Sequence, residues 1–196
     1  MIMNILFFDE NIIVAIKPIG FDSQKEFPLM LKDELGGSIY TVHRLDLNVG
    51  GVMVYARNKK MAGYLSRSIQ EGTMVKEYLA LVHGSLPKEG IYEDLLFKDS
   101  RKNKVFVVKR ERKGVKKAKL AFDTITSGET SLVHIRLYTG RSHQIRVQFA
   151  SRGFPLVGDH KYGSHDVASQ PMLFSSRLTF PYQGTLRSFE AKPSWA

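Results

Sequence analysis

The chain has 196 residues, of which 43% are apolar and 11% aromatic, so it can bury a core and is not mainly disordered. The absence of cysteine excludes disulfide scaffolds, thiolate metal sites and cysteine nucleophiles, and it favours a cytoplasmic location. No apolar run reaches the roughly 20 residues that a membrane span needs, and the apolar start lacks the marks of a signal peptide. We therefore expect a globular chain with no membrane association.

Apolar periodicity predicts about seven to nine strands and three short helices. Several strands follow one another without an intervening helix, which is typical of an α+β fold with a mixed, mainly antiparallel sheet and a few short flanking helices. In chain order, the predicted elements are strand 12–17, a helix with Phe27, Leu31 and Leu35, strand 51–57, a helix capped by Asn58 with Met61, Leu65 and Ile69, strands 75–82, 105–108, 120–126 and 132–138, helix 143–152, and strands 173–180 and 186–191.

Positive charge is concentrated in one segment of the chain. Residues 98–119 hold eleven Lys or Arg and two acids, whereas the rest of the chain holds 18 basic and 17 acidic residues. A basic segment on a nearly neutral body indicates a polyanionic partner, and the alternative is a loop that only adds solubility. Phe106 and the valines inside the segment favour a hairpin over a mobile tail. The charge alone does not distinguish RNA from DNA or from an anionic membrane.

Two polar segments follow or precede apolar strands, which is where loops carry binding and catalytic groups. The first, residues 42–51, contains Asp46, a possible nucleophile or base. The second, residues 138–146, contains Arg141, which would keep Asp46 ionised if the two side chains face each other. Arg44 points away from Asp46 if the first segment is extended, so it suits contact with a phosphate or a base.

The histidines in these segments, His43 and His143, are possible metal ligands. Neither has a third ligand at a characteristic spacing, so structural hydrogen bonds are the better interpretation, and no metal is expected. A serine triad is disfavoured because no nucleophile elbow is present, and neither a P-loop nor a dinucleotide fingerprint occurs.

Five motifs in order along the chain resemble those of the RluA-type pseudouridine synthases. They span nearly the whole chain, which makes the resemblance much more specific than a single short motif. They are Phe8-Asp9-Glu10 with Lys17-Pro18-Ile19-Gly20, His43-Arg44-Leu45-Asp46, the K-x-Y-x-A-x-V-x-G strand around Tyr78, the T-G-R-x-H-Q-I-R motif at 139–146, and the G-x-P-x-x-G-D-x-x-Y-G turn at 153–163.

The resemblance implies an isomerase that converts a uridine in structured ribosomal or transfer RNA to pseudouridine. Asp46 would be the catalytic carboxylate, attacking either C6 of the uracil or the ribose, and Arg141 would pair with it. Tyr78 would contact the uracil and take part in proton transfer at C5, although a strand tyrosine can also simply fill the core. The reaction needs no cofactor, and the target base must be flipped out of its stack.

The resemblance also implies that RNA is the partner. The motifs do not encode the oligomeric state, and we expect a monomer. A single catalytic domain over residues 1–196 is expected, with a basic hairpin insertion at about 98–119 and no S4-like RNA-binding domain. Two departures from the family pattern are Val49-Gly50-Gly51 in place of Thr-Ser-Gly, and Gln148 where a histidine is common. The residues expected to bind RNA are His43, Arg44, Lys104, Lys109, Arg110, Arg112 and Lys113.

Two alternatives stay open at this point. A catalytically inactive RNA-binding or ribosome-assembly factor could use the same basic segment, although it would have no need of Asp46, Tyr78 and Arg141 together. A hydrolase could use Asp46 or Asp159 with His143, but the sequence has no paired-carboxylate or triad pattern.

Overall fold

The computed structural model describes residues 3–168 and 170–196. Backbone contacts divide the chain into two compact units, one formed by Met1–Lys76 with Phe174–Ala196 and the other by Glu77–Leu173. The prediction of a single catalytic domain stays a prediction. Within the described ranges, none of the helices is both long and apolar enough to cross a membrane.

Across the described residues the chain forms eleven strands and three α-helices, which confirms the predicted α+β class. The strands are β1 (Ile5–Phe8), β2 (Ile12–Lys17), β3 (Tyr40–Thr41), β4 (Gly50–Ala56), β5 (Val75–His83), β6 (Glu89–Asp99), β7 (Lys104–Val108), β8 (Val115–Thr126), β9 (Thr130–Leu137), β10 (Leu173–Tyr182) and β11 (Thr185–Glu190). The helices are α1 (Glu26–Leu35), α2 (Lys59–Gln70) and α3 (Gln144–Ala150), and a short 3-10 helix covers His160–Tyr162.

The first unit contains the strand order β1-β2-β4-β10, with β3 paired to β4 and β11 paired to β10. All of these pairs are antiparallel except β4 with β10, so the sheet is mixed as predicted. The predicted cap of α2 is confirmed, because Asn58 Oδ1 accepts a hydrogen bond from the Met61 N–H at 2.8 Å. Leu65 of this helix is fully buried with Val54 and Phe180.

The second unit contains the strand order β5-β9-β8-β6-β7. The pairs of β6 with β7 and β8, and of β8 with β9, are antiparallel. On one face, the rings of Tyr92, Phe122 and Phe149 lie with centroids 4.9–5.4 Å apart, and Phe149 comes from α3. This packing fixes α3 on the sheet, and with it the polar segment that precedes the helix.

The strand β6 was not predicted from the sequence. Exposure alternates along its first half, but polarity does not follow it, because Ile91 is 62% exposed on the outer face while Asp94 points inward. Asp94 is satisfied there by a two-bond ion pair with Arg152 and by the Nε2 of Gln148 at 2.7 Å. Strands are predicted from the alternation of buried apolar and exposed polar residues, and β6 lacks that pattern.

The basic segment 98–119 does not form the single hairpin that was expected. Residues 100–103 form the turn of a β6–β7 hairpin, but β7 and β8 lie on opposite sides of β6 and do not pair with each other. Residues 109–114 therefore cross over β6 to join them, and we call them the basic crossover. The unpredicted strand is the cause, since β6 occupies the place that a β7–β8 hairpin would need.

Other boundaries differ by a few residues. The strand β8 begins at Val115 rather than at Leu120, because it pairs with β6 over its whole first half. The strand β10 continues through Pro181 to Tyr182, opposite β11. A proline is tolerated at such an edge, where its missing N–H is not needed by a neighbouring strand.

Candidate functional site

Asp46 lies in the first unit, in the segment of residues 42–49 that joins β3 to β4. The Asp46 side chain is partly exposed, whereas Leu45 before it is buried. The buried Ser23 hydroxyl donates to the Leu45 carbonyl at 3.0 Å and accepts from the Leu45 N–H at 3.2 Å. The Tyr55 hydroxyl of β4 holds the Ser23 carbonyl at 2.9 Å. The backbone that presents Asp46 is thus fixed by a residue that the sequence analysis did not single out.

Lys17, at the end of β2, holds the other side of this segment. Its side chain is fully buried, and its Nζ donates to the carbonyls of Pro18, Phe21 and Leu47 at 2.8, 2.9 and 3.3 Å. Burial lowers the pKa of Lys17 to about 8, and the charges of three nearby carboxylates, Asp46 among them, oppose that shift. The K-P-x-G motif was the sequence signal for this lysine, but its bond to the residue after Asp46 was not foreseen.

His43 is bonded to the neighbouring strand. Its Nε2 accepts a hydrogen bond from the Val54 N–H of β4 at 3.1 Å. Burial lowers the pKa of His43 to about 3, and the positive charge of Lys76 lowers it further in the same direction. The imidazole is therefore neutral at physiological pH, which disfavours a cationic contact with phosphate. The RNA contact predicted for His43 stays a prediction.

The departure from the family pattern after Asp46 has a packing reason. Val49 is 2% exposed, so the segment ends on an apolar side chain in the core, and its N–H donates to the Asp46 carbonyl at 3.0 Å. Gly51 has φ of +129°, and an added Cβ would lie 2.4 Å from the Ser175 carbonyl oxygen. A glycine is therefore required at this position, and it lets the β10 backbone approach closely.

Tyr78 and Arg141 lie in the second unit. Tyr78 is on β5 and is 6% exposed. Arg141 is exposed in the turn between β9 and α3, and its Nε donates to the Lys117 carbonyl of β8 at 2.9 Å. One edge of the guanidinium is thus anchored to the strand that leaves the basic crossover.

A ring of hydrogen bonds holds the backbone around Arg141. The Oε1 of the buried Gln144 accepts from the Thr139 hydroxyl at 2.8 Å and from the Arg141 N–H at 3.0 Å. Its Nε2 donates to the Lys119 carbonyl at 3.1 Å, and the Lys119 N–H donates to the Thr139 hydroxyl at 2.9 Å. The Thr and Gln of the T-G-R-x-H-Q motif therefore tie the turn to β8, a role that the spacing alone did not reveal.

Two further motif residues form a buried ion pair. Arg146 Nε and Nη2 donate to Asp159 Oδ2 and Oδ1 at 2.7 and 2.8 Å, and both side chains are at most 8% exposed. His143 Nδ1 lies 2.8 Å from the Tyr162 hydroxyl. Asp159 is thus committed to Arg146, which weakens the hydrolase alternative that would use it with His143.

The cations predicted to bind RNA differ in their environments. Arg44 is exposed in the Asp46 segment, whereas Lys104 is half-buried, with its Nζ 5.3 Å from the Tyr162 ring centroid. The remaining four are all exposed on the basic crossover, and they are Lys109, Arg110, Arg112 and Lys113.

The predicted catalytic residues are therefore divided between the units, with Asp46 in the first and Tyr78 and Arg141 in the second. The pairing of Asp46 with Arg141 stays a prediction. In the part of the chain that the structure describes, no group of three or more His, Cys, Asp or Glu side chains could hold a metal ion.

Comparison with known proteins gives consistent matches. A family model described as RNA pseudouridylate synthase matches residues 11–151. The mitochondrial tRNA pseudouridine(32) synthase of Saccharomyces cerevisiae is 31% identical over 175 residues, covering 84% of this chain and 38% of that one. Ribosomal large subunit pseudouridine synthase D of Nitrosomonas europaea is 30% identical over 176 residues, covering 82% and 50%. The solved structure of human RNA Pseudouridylate Synthase Domain Containing 1 matches with a TM-score of 0.84 at 22% identity, over 99% of this chain and 84% of that one.

The fold and these motifs define a mixed α+β scaffold with a fixed carboxylate segment and a basic crossover. The chain belongs to the RNA pseudouridylate synthase family, which confirms the resemblance found in the sequence. The matched residues include Asp46, Tyr78 and Arg141. The chain spans half or less of the length of the two curated relatives, and the human structure shows a shared fold.

Proposed function

We propose that this chain isomerises a uridine in structured ribosomal or transfer RNA to pseudouridine. The observation that carries the proposal is the family match over residues 11–151, which includes Asp46, Tyr78 and Arg141. The relatives are named for tRNA and for the large ribosomal subunit, which supports RNA as the substrate class.

The reaction breaks the N1–C1′ bond of the uridine, turns the base and joins C5 to C1′. A proton leaves C5 and N1 gains one, so substrate and product are isomers and no oxidant or reductant is consumed. In our proposal the Asp46 carboxylate attacks either C6 of the uracil or the ribose. The hydrogen bonds of Ser23 and Lys17 to the residues on either side of Asp46 support this role, because a nucleophile must be held in a productive geometry.

Arg141 is proposed to brace the Asp46 carboxylate and keep it ionised. Its Nε is anchored to Lys117, and the hydrogen bonds made by Gln144 restrict the turn, which supports a positioning role for this loop. Tyr78 is proposed to contact the uracil and to accept or relay the C5 proton. The base must first leave its stack, at a cost of a few kcal/mol that contacts to the RNA backbone offset.

Those backbone contacts are assigned to Arg44, to Lys104 and to the exposed cations of the basic crossover. Lys and Arg at phosphates position an RNA without reading its sequence, and each neutralised phosphate makes the affinity depend on salt. A cytoplasmic location and a monomeric state are part of the same proposal.

The test is pseudouridine formation in cellular RNA from cells that lack this protein. Wild-type chain is expected to form pseudouridine at a defined position, and Asp46→Asn to form none while it still binds RNA, because an amide is a poor nucleophile. Asp33→Asn, on the exposed face of α1, is the matched control and should act as the wild type does.

Turnover retained by Asp46→Asn would overturn the role of Asp46. A wild-type chain that binds RNA but forms no pseudouridine in any cellular RNA would favour the catalytically inactive RNA-binding factor instead.

A further inference from the structure

A cavity that is open to solvent lies between the basic crossover and the outer face of β6. Leu95 pairs with Val108 at the end of β7, and Phe97 pairs with Val115 at the start of β8, so the crossover passes above these two positions. The cavity has a volume of about 440 Å³. It is lined by Leu95, Glu111, Arg112, Val115 and Lys117.

A planar cation lies on an aromatic ring beside this cavity. The Arg112 guanidinium carbon is 4.5 Å from the centroid of the Phe97 ring, while the arginine itself is exposed. Gly114 follows with φ of +88°, and an added Cβ there would lie 3.6 Å from the same ring. A guanidinium that covers one ring with one face can stack a second planar group on its other face.

A second ring extends the same surface. Phe106 of β7 is the cross-strand partner of Phe97, so both side chains stand on one face of the sheet. Phe106 is 37% exposed, and the Lys104 Nζ lies 6.0 Å from its centroid. Exposed aromatic rings interleaved with Lys and Arg are the composition of surfaces that stack unpaired bases.

The lining of the cavity offers a base a hydrogen-bond acceptor. Glu111 lies in the lining and pairs with the Lys117 Nζ at 3.2 Å. The amino group of a base can donate to the Glu111 carboxylate, whereas a phosphate has no hydrogen to donate to it. The exposed cations beside the cavity would contact the phosphates of the RNA strand that carries this base; they are Lys109, Arg110 and Lys113.

The cavity also adjoins the turn of the proposed catalytic arginine. Lys117 contributes its side chain to the lining, and its carbonyl accepts the bond from Arg141 Nε at 2.9 Å. A nucleotide held at the cavity would therefore contact the strand that anchors Arg141.

We propose that this cavity is a subsite for one unpaired nucleobase of the substrate RNA, stacked on the face of the Arg112 guanidinium that is turned away from Phe97. The base is a nucleotide other than the target uridine. The inference rests on the proposed function only in taking RNA as the partner.

The test compares the binding of two probes of equal length, a single-stranded oligocytidylate and an abasic ribose-phosphate oligomer. Oligocytidylate contains no uridine that could enter the catalytic site, and its amino group suits Glu111. Wild-type chain is expected to bind oligocytidylate about tenfold more tightly than the abasic oligomer, the effect of one stacked base. Arg112→Lys and Phe97→Leu should abolish most of this preference.

Arg112→Lys keeps the charge, so its salt dependence for the abasic oligomer should equal that of the wild type. Arg67→Lys is the matched control, because Arg67 is exposed on α2, outside the basic segment and not among the cavity's lining residues, and it should keep the preference. If Phe97→Leu does not fold by circular dichroism, the exposed Arg112→Lys variant decides alone.

Equal preference in Arg112→Lys and wild type, or no preference in the wild type, would overturn the subsite. Neither result bears on pseudouridine formation, which is measured separately with cellular RNA. Conversely, loss of the proposed activity would leave the base preference intact.

Discussion

The Asp46 segment (residues 42–49) and the basic crossover (residues 109–114) both join strands, but they are held in opposite ways. Ser23 and Lys17 are almost fully buried, and three of their hydrogen bonds fix the main chain of Leu45 and Leu47 on either side of Asp46. The crossover presents its cations to solvent; Glu111 forms an exposed ion pair with Lys117, and the Arg112 guanidinium lies over the Phe97 ring.

Substitutions in these two segments are therefore expected to change different properties of the protein. Buried polar groups that lose a partner cost the full penalty of desolvation, so changes beside Asp46 reduce the free energy of unfolding. Exposed cations contribute little to stability, so changes in the crossover alter the affinity for a polyanion and leave the fold intact.

The largest expected effect is on RNA affinity. Replacing Lys109, Arg110 and Lys113 by Gln together is expected to weaken RNA binding roughly hundredfold at low salt. The slope of log affinity against log salt concentration should fall by the equivalent of about two to three phosphate contacts. Binding isotherms over a salt series measure both quantities, and the free energy of unfolding should not change.

The matched control replaces Lys32, Lys59 and Lys60, which are exposed and outside the crossover, by Gln. This variant loses the same net charge. If it flattened the salt dependence equally, overall charge would explain the binding and the crossover would have no special role.

The next effect is on stability. Lys17→Met removes the donor shared by three carbonyls, one of them the Leu47 carbonyl beside Asp46, and is expected to lower the free energy of unfolding by about 2 kcal/mol. Denaturant unfolding measures this loss. Turnover should fall as well, whereas the salt dependence of RNA binding should be retained, because the crossover is untouched.

Lys25→Met serves as the control, since Lys25 is exposed in the loop between β2 and α1. A Lys17→Met variant as stable as this control would show that the buried ammonium is not what fixes the segment.

At neutral pH the smallest effect is that of His43, because its contribution to stability changes only as the solution is acidified. The pKa of His43 is about 3 in the folded chain and near 6.5 when unfolded, so between these values only the unfolded chain binds the proton. The contribution of His43 to stability is therefore complete above about pH 6.5 and is lost as the pH falls, with a slope approaching about 1.4 kcal/mol per pH unit.

His43→Gln keeps an acceptor for the Val54 N–H without a titrating ring, and its free energy of unfolding should depend less on pH below 6.5. His165→Gln, at an exposed position, should retain the wild-type dependence. Identical slopes for His43→Gln and wild type would contradict the buried neutral imidazole.

Local sequence signals predicted most of the elements. The apolar runs of β2 and β4, and the cap and apolar periodicity of α2, are local features, and both strands were predicted to within one residue. The strand β6 was not predicted because its inward Asp94 is stabilised by an ion pair with Arg152, some sixty residues later in the chain. A strand whose polar residue is buried by a distant partner cannot be predicted from the residues adjacent to it in the sequence.

The sequence by itself determined the fold class, the family and the residue types of the site, because ordered motifs and periodic apolar positions are local properties of the chain. Only the tertiary structure decided that residues 109–114 of the basic segment form a crossover with a cavity beside it. It also decided that Ser23 and Lys17 hold the Asp46 segment and that the hydrogen bonds of Gln144 fix the turn of Arg141. Each of these depends on hydrogen bonds or strand pairings between residues more than twenty positions apart, or on which strand lies between two others. Composition and spacing carry no record of such partners.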